Sequence, residues 1–265
     1  MLSFQISYVK TLQYLLLRSI KITSTGLGDK IFNSLFWSVL SIIVFAYIMP
    51  SMGLDKNMGA FMVVTLPMSC AFFTSINSIY ALLTDVTNDG SSLTYELILP
   101  IPQWIVFAKY AFENMYQAIS VSILVVPVGK IMLWNDFSLQ HFSLLKFHFL
   151  LIIASIFFGF FSIFITSITK NIYSGLDNVW IRIIFPMWFL GGFQFSWKTL
   201  YKISPTMAYI NLLNPLTYAL EGGRAASLDP ELSLPYWYCI IALIGFTIMF
   251  GYLGIQKLKK RLDCL

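Results

Sequence analysis

The chain has 265 residues, of which 58% are hydrophobic and only 11% charged, and its mean hydropathy is +0.76. This composition excludes an ordinary soluble domain of this size. Several apolar runs reach the roughly 20 residues that a helix needs to cross about 30 Å of hydrocarbon, and they lack the alternation of barrel strands. The composition therefore predicts an all-α polytopic membrane protein.

The net charge of +5 does not indicate nucleic-acid binding, because the basic residues lie beside apolar runs and at the C-terminal tail. Anionic lipid headgroups are the simpler partner for charges in these places. The three cysteines, Cys70, Cys239 and Cys264, have no ligand-like spacing to one another or to the two histidines. We therefore expect neither a disulfide framework nor a metal or other cofactor bound by this chain.

Residues 4–24 are interrupted by Lys10, Arg18 and Lys21 and do not have the pattern of a membrane span. At 100° per residue these three cations fall within one arc, while leucines and an isoleucine occupy the opposite one. The pattern predicts an interfacial helix that lies on the membrane with its basic side toward the headgroups. An ordinary soluble amphipathic helix is the alternative.

Six further runs predict transmembrane helices, at about 31–49, 60–83, 104–133, 145–168, 179–195 and 236–255. The fifth is the least regular, because Arg182 and Pro186 lie inside it. Basic residues precede the first span and follow the last, so the positive-inside rule predicts that both termini are cytoplasmic. The segment between the second and third spans is then cytoplasmic, and residues 196–235 are extracytoplasmic.

The extracytoplasmic region contains a half-length apolar segment, which predicts re-entrant or interfacial helices at about 200–228. Within it, the stretch "NPLTYALEGG" is typical of a complete short helix. Asn214 suits the N-cap and Pro215 the first helical position. Gly222 or Gly223 is the expected C-terminal stop.

Two pairs of opposite charge have helical spacing: Lys109 with Glu113, four apart, and Glu221 with Arg224, three apart. Lys109 and Glu113 lie in the predicted membrane region, where ionisable residues are functional candidates by default, although snorkelling or local pairing is the alternative. Glu221 and Arg224 lie in the predicted extracytoplasmic region, where such pairs also occur as solvated decoration. The deep portions of the spans are otherwise almost free of charge. This favours an amphiphilic or bulky apolar cargo over a proton or ion relay.

The sequence lacks the GxxxxGK[ST] phosphate loop and the HExxH, GxSxG and CxxC motifs, so the corresponding enzyme classes lose their minimum parts. The best catalytic candidates are Asp85 and Asp89, four apart in the predicted cytoplasmic loop. Their spacing suits the magnesium site of a membrane prenyltransferase. Such enzymes use a second aspartate-rich loop, whereas the next cytoplasmic loop offers only Asp177. A solvated or helix-capping role is the competing interpretation.

A short helix is predicted at about 89–100, where Asp89 or Ser91 caps the start and Pro100 ends it. Its centre, "LTYELIL" from Leu93 to Leu99, carries an apolar side and one acidic residue. A rigid cytoplasmic helix of this kind fits a socket on a partner protein better than it fits a flexible catalytic lid.

This stretch resembles the loop between spans two and three in the permease subunits of type-2 ATP-binding cassette (ABC) exporters. The matching features are Gly90, the Leu-rich helix with Glu96, Pro100, and "WIVFAK" ending at Lys109. A second family-like motif, Asn-Pro before a short helix and an Arg, appears as "NPLTYALEGGR". With the interfacial helix and the six spans, the resemblance covers essentially the whole chain.

The resemblance implies a permease that pairs with a second permease copy, a homodimer being expected, and with two copies of a separate ABC ATP-binding subunit. ATP and magnesium would bind that subunit. The residues expected to couple to it are Tyr95, Glu96, Leu97 and Pro100. The residues expected to shape an outer gate are Asn214, Pro215, Glu221 and Arg224.

The expected function is export of an amphiphilic drug, lipid or lipid-linked glycan across a bacterial cytoplasmic membrane. A magnesium-dependent prenyltransferase-like enzyme that uses Asp85 and Asp89, and a non-transporting scaffold, are the alternatives.

Overall fold

The computed structural model describes residues 2–53, 55, 57–87, 92–99, 101–134, 137–169 and 172–262, and every regular element within these ranges is helical. The helices are α1 (Leu2–Ser24), α2 (Leu27–Ile42), α3 (Met49–Ser51), α4 (Met58–Thr87), α5 (Ser92–Ile98), α6 (Gln103–Ser122), α7 (Val125–Met132), α8 (Leu144–Ile168), α9 (Ile172–Val179), α10 (Phe185–Leu190), α11 (Trp197–Ile203), α12 (Pro205–Asn211), α13 (Pro215–Ser227) and α14 (Tyr236–Leu262). The π-helical turns Ile43–Ile48 and Trp180–Ile184 join α2 to α3 and α9 to α10, and Pro230–Leu232 is a 3-10 turn.

Five segments of the described chain are long and apolar enough to cross a membrane, which confirms the all-α polytopic fold. They are Leu27–Ser51, Met58–Thr87, Gln103–Met132, Leu144–Ile168 and Tyr236–Arg261. Each coincides with one of the six predicted spans. The remaining predicted span, 179–195, falls on the end of α9, the π-helical turn and α10, which ends at Leu190. It is not among the five, and the count of six spans stays a prediction.

The amphipathic pattern of α1 agrees with its packing. Lys10, Arg18 and Lys21 are exposed, whereas Leu15 is buried and its neighbour Leu16 is half-buried. The buried side of α1 packs against α6. The interfacial helix is therefore attached to the third span and not only to the membrane surface.

The centre of the bundle is α8, which packs against α14, α6 and α4. Aromatic rings fill these contacts. The ring centroids of Phe72 in α4 and Phe158 in α8 are 5.5 Å apart, and those of Phe250 in α14 and Phe161 in α8 are 5.8 Å apart. A Cβ atom on Gly159 would lie only 2.7 Å from the Ala111 Cα of α6. Hydrocarbon provides no hydrophobic driving force for helix association, so small residues matter because they allow the backbones to pack closely.

The predicted re-entrant region forms α11, α12 and α13. The prediction that Gly222 or Gly223 ends the helix is wrong, because α13 continues to Ser227. The glycines serve packing instead: a Cβ atom on Gly222 would lie 2.9 Å from Leu150 of α8 and 3.1 Å from the Cys239 Cβ of α14. The close approach of α13 to two spans therefore explains why a glycine stands at this position, although a glycine there resembles a helix stop in the sequence.

Candidate functional site

The helix α5 has one buried and one uncovered apolar side. Leu93 is fully buried in a small cluster with residues of α4 and α6, and Leu97 is half-buried against that cluster. Tyr95 and Ile98 point away from it and are 61% and 78% exposed. The exposed apolar side of α5 is therefore held in place by the packing of its buried side against α4 and α6.

The acidic residue of α5 faces the interior. Glu96 is 1% exposed, and its Oε1 accepts a hydrogen bond of 2.5 Å from Lys109 Nζ of α6. The same oxygen lies 3.8 Å from Arg18 Nη1 of α1, while Lys109 Nζ lies 3.4 Å from Glu113 Oε1. Two carboxylates and two cations thus form a balanced cluster that joins α1, α5 and α6, which we call the ion cluster.

The ion cluster revises the picture drawn from the sequence. Glu96 was expected at a surface that a partner contacts, but burial places it behind that surface, where it anchors α5 to α6. Breaking a buried ion pair by removing one partner costs about 3–5 kcal/mol, because the remaining charge is uncompensated. The predicted pair Lys109–Glu113 does lie together, with Glu96 as the nearer partner of the lysine.

Two of the residues that the sequence singles out receive no structural account. Pro100 lies outside the described residues, as does Asp89 of the alternative enzyme hypothesis. Asp85 of that hypothesis accepts a hydrogen bond of 3.4 Å from Tyr110 Oη. Sequence reasoning named Ile98 only as part of the helix and Arg18 only as part of the basic side of α1, and it assigned neither to the site. Ile98 was detectable, because it follows Tyr95 by three positions and so shares its side of the helix.

At the other end of the bundle, Glu221 and Arg224 form a second buried pair, with Oε1 and Nη1 2.6 Å apart and the side chains 0% and 2% exposed. Glu221 also accepts hydrogen bonds from the backbone N–H groups of Trp197 (2.8 Å) and Leu234 (3.0 Å). Arg224 donates to the carbonyl oxygens of Phe195 (3.1 Å) and Gly192. Burial lowers the pKa of the Arg224 guanidinium from its ordinary value, and the adjacent Glu221 opposes this shift.

These contacts tie together three stretches of backbone outside the long spans. The loop after α10 is held through Arg224, the start of α11 through Glu221, and the loop before α14 through the second oxygen of Glu221. The pair is therefore a buried clasp rather than solvated decoration, although Arg224 Nε has no hydrogen-bond partner among the described residues. It fixes how α11 and α13 sit on the end of the bundle opposite α5.

Asn214 and Pro215 have the local roles that the sequence indicates. Asn214 is the N-cap of α13, with its Oδ1 accepting from Leu216 N at 3.0 Å, and Pro215 is the first helical residue. The amide nitrogen of Asn214 also donates to Met187 O of α10 at 2.7 Å. One side chain thus starts α13 and attaches it to the segment of the predicted fifth span.

A cavity of about 400 Å³ opens between α2, α4 and α6, near the end of the bundle that carries α1 and α5. Its lining includes Lys30, Asn33 and Trp37 of α2 and Asn77 of α4. Asn33 and Asn77 are exposed, and within the described ranges neither amide has a hydrogen-bond partner. Asn77 lies ten residues before the end of α4, about 15 Å along the helix.

An exposed amide without a protein partner is costly wherever it faces lipid, since transfer from water to a medium without hydrogen bonding costs about 4–8 kcal/mol. Two such amides beside a lysine make the cavity suited to a polar species. The sequence alone did not single out these residues.

Comparison with protein families gives one match. The model for the "ABC-2 type transporter" matches residues 10–228, which include both buried ion pairs and every residue named above for the cavity. Comparison with curated proteins gives no match.

Proposed function

The chain belongs to the ABC-2 type transporter family, and we propose that it serves as the permease subunit of an ATP-driven exporter. The family supplies the membrane component of an ABC transporter without an ATPase of its own. The proposal goes further in naming export, coupling through α5, and an amphiphilic cargo such as a drug, a lipid or a lipid-linked glycan. Each of these is argued below.

Coupling through α5 is supported by the contrast between its two sides. On the exposed side, Tyr95 and Ile98 offer two apolar anchors for a groove on an ATP-binding subunit. The buried side is bound to α6 and α1 by the ion cluster. A displacement of α5 therefore has to move the third span and the interfacial helix with it. Glu96 acts in this scheme as a positioning residue and not as a contact to the partner.

The proposed assembly is the one that the family implies. Two permease copies related by a two-fold axis would enclose a path, and two ATP-binding subunits that hold ATP and magnesium would drive it. The basic residues beside the first and last spans favour cytoplasmic termini, which places α5 on the side where ATP is available. A bacterial cytoplasmic membrane is the proposed location.

The outer clasp supports a gate at the opposite end. Glu221 and Arg224 hold α13 to the loops that precede α11 and α14, and Asn214 holds it to α10. An exit path between two permeases would open beside this rigid unit. We therefore assign the shaping of the outer gate to these three residues and Pro215.

The test is a comparison of Ile98→Asp with Ile203→Asp, since both isoleucines are 78% exposed and lie on different short helices. The permease is co-expressed with an ATP-binding subunit from the same locus and reconstituted in vesicles. We expect Ile98→Asp to lower the ATPase activity that depends on the permease by at least about tenfold, because one apolar anchor at an interface is worth roughly 1.5 kcal/mol or more. Ile203→Asp should retain it. Equal activities of the two variants would rule out coupling through α5.

A further inference from the structure

We propose that the cavity between α2, α4 and α6 binds the phosphate-bearing, hydroxylated headgroup of an anionic amphiphile. That this amphiphile is the exported cargo rests on the proposed function, whereas the binding itself does not. The hydrogen-bonding groups that the lining leaves unused determine which ligand fits.

The positive charge in the cavity lining indicates that the ligand is anionic. Lys30 is the only charged side chain that lines the cavity within the described part of the chain. Its Nζ donates one hydrogen bond, of 2.8 Å, to Gln117 Oε1 of α6. An ammonium group has three N–H donors, so two remain for an anion. A cationic cargo would meet repulsion here, and a neutral one would leave the ammonium uncompensated.

The free donors favour phosphate over other anionic groups. The amides of Asn33 and Asn77 and the indole N–H of Trp37 have no partners among the residues that the structure describes. Phosphate presents several oxygens that only accept hydrogen bonds, so one group satisfies donors that approach from α2 and α4 together. A single apolar or hydroxyl group would leave most of them unpaired.

The hydroxyl groups of the lining add a second feature. Ser34 Oγ donates to Val121 O at 3.1 Å, and Thr74 Oγ1 donates to Cys70 O at 2.9 Å. A hydroxyl group that donates in this way keeps its lone pairs, so both residues can also accept hydrogen bonds. Acceptors beside a phosphate subsite suit hydroxyl groups on the headgroup, such as those of a glycerol or a sugar.

The size and the rest of the lining fit an amphiphile. A cavity of about 400 Å³ lies at the lower end of the range for small-molecule sites, which admits a headgroup but not a whole lipid. Cys70, Phe73 and Val121 complete the lining with largely apolar surface, and the cavity is open to the outside of the chain. The apolar tails would then stay in the surrounding bilayer.

The experiment measures binding to the purified full-length permease alone. The probe is fluorescent phosphatidylglycerol, compared with phosphatidylcholine of the same acyl chains and with free glycerol phosphate as a competitor. Both lipids carry a phosphodiester anion, but choline brings a cation toward Lys30 and lacks the hydroxyl groups of glycerol. We therefore expect phosphatidylglycerol to bind about tenfold more tightly than phosphatidylcholine. Competition by glycerol phosphate at equal concentration would identify a free phosphate compound, rather than a lipid, as the source of the same chemistry.

Lys30→Gln removes the charge but keeps a donor for Gln117, so the local packing is preserved. This variant should lose the tenfold preference, and Asn77→Leu should weaken phosphatidylglycerol binding about threefold to tenfold. The matched control is Lys21→Gln, which removes an exposed cation of α1 outside the cavity and should leave the preference intact.

Two results would overturn the proposal: an unchanged preference in Lys30→Gln, or unchanged phosphatidylglycerol binding in Asn77→Leu. Because the measurement needs no ATP-binding subunit, its failure is separate from failure of the ATPase test above.

Discussion

Arg224→Met tests whether the outer clasp stabilises the fold as strongly as its burial implies. The substitution keeps most of the side-chain volume but leaves the Glu221 carboxylate at 0% exposure without its cation. Two backbone N–H groups still bind this carboxylate, while the carbonyl oxygens of Phe195 and Gly192 lose their donor. We expect a loss of about 3–5 kcal/mol in the free energy of unfolding, the usual cost of a broken buried pair.

At about 2–4 °C per kcal/mol for a chain of this size, this loss corresponds to a fall in Tm of roughly 10 °C. A thiol-reactive dye reports the transition, because Cys70 and Cys239 are both buried in the folded chain. The matched control is Arg182→Met, since Arg182 is exposed, and it should shift Tm by no more than about 2 °C.

A double variant, Glu221→Gln with Arg224→Met, removes the uncompensated charge and should be more stable than Arg224→Met alone. The reasoning fails if Arg224→Met unfolds at the same temperature as Arg182→Met. It fails equally if the losses of the two single variants simply add in the double variant.

Two further predictions use the same dye assay. Gly159→Ala should prevent stable folding or lower Tm sharply, because its Cβ would meet the backbone of Ala111 at 2.7 Å. Gly245→Ala is the control: its Cβ would meet nothing within 4 Å, so it should be neutral or slightly stabilising. Similar Tm values for the two variants would contradict the packing of α8 on α6. Lys109→Met should lower the free energy of unfolding by about 3–5 kcal/mol, because it leaves the buried Glu96 without its nearest cation. Lys259→Met, at an exposed position of α14, should leave that free energy almost unchanged. A Lys109→Met protein with wild-type stability would show that the ion cluster does not hold α5.

What the sequence predicts well in this chain is local. The long apolar runs predict their own helices, and the cap of Asn214 with Pro215 behind it needs only neighbouring residues. Spacing alone also places Lys109 beside Glu113 and Glu221 beside Arg224, because residues three or four apart meet on a helix.

What the sequence predicts poorly depends on partners far along the chain. Glu96 is buried because Lys109, thirteen residues later, and Arg18, on another helix, both reach it. Gly222 resembles a helix stop, but it is a packing contact with α8 and α14. The cavity is a still longer-range property, since Asn33 and Asn77 carry no motif and share a site only when α2 and α4 are folded side by side.

The helix α6 connects the two sites that the proposals concern. Lys109, near its start, holds α5 through Glu96, and Gln117 and Val121, two and three turns later, accept hydrogen bonds from Lys30 and Ser34 of the cavity. The distance along the helix from Lys109 to Val121 is about 18 Å. A tilt of α6 imposed at α5 therefore displaces the cavity lining directly, with no need for a flexible relay. Under the proposed function, affinity for the headgroup has to change with the nucleotide state of the partner, because both depend on the position of one helix.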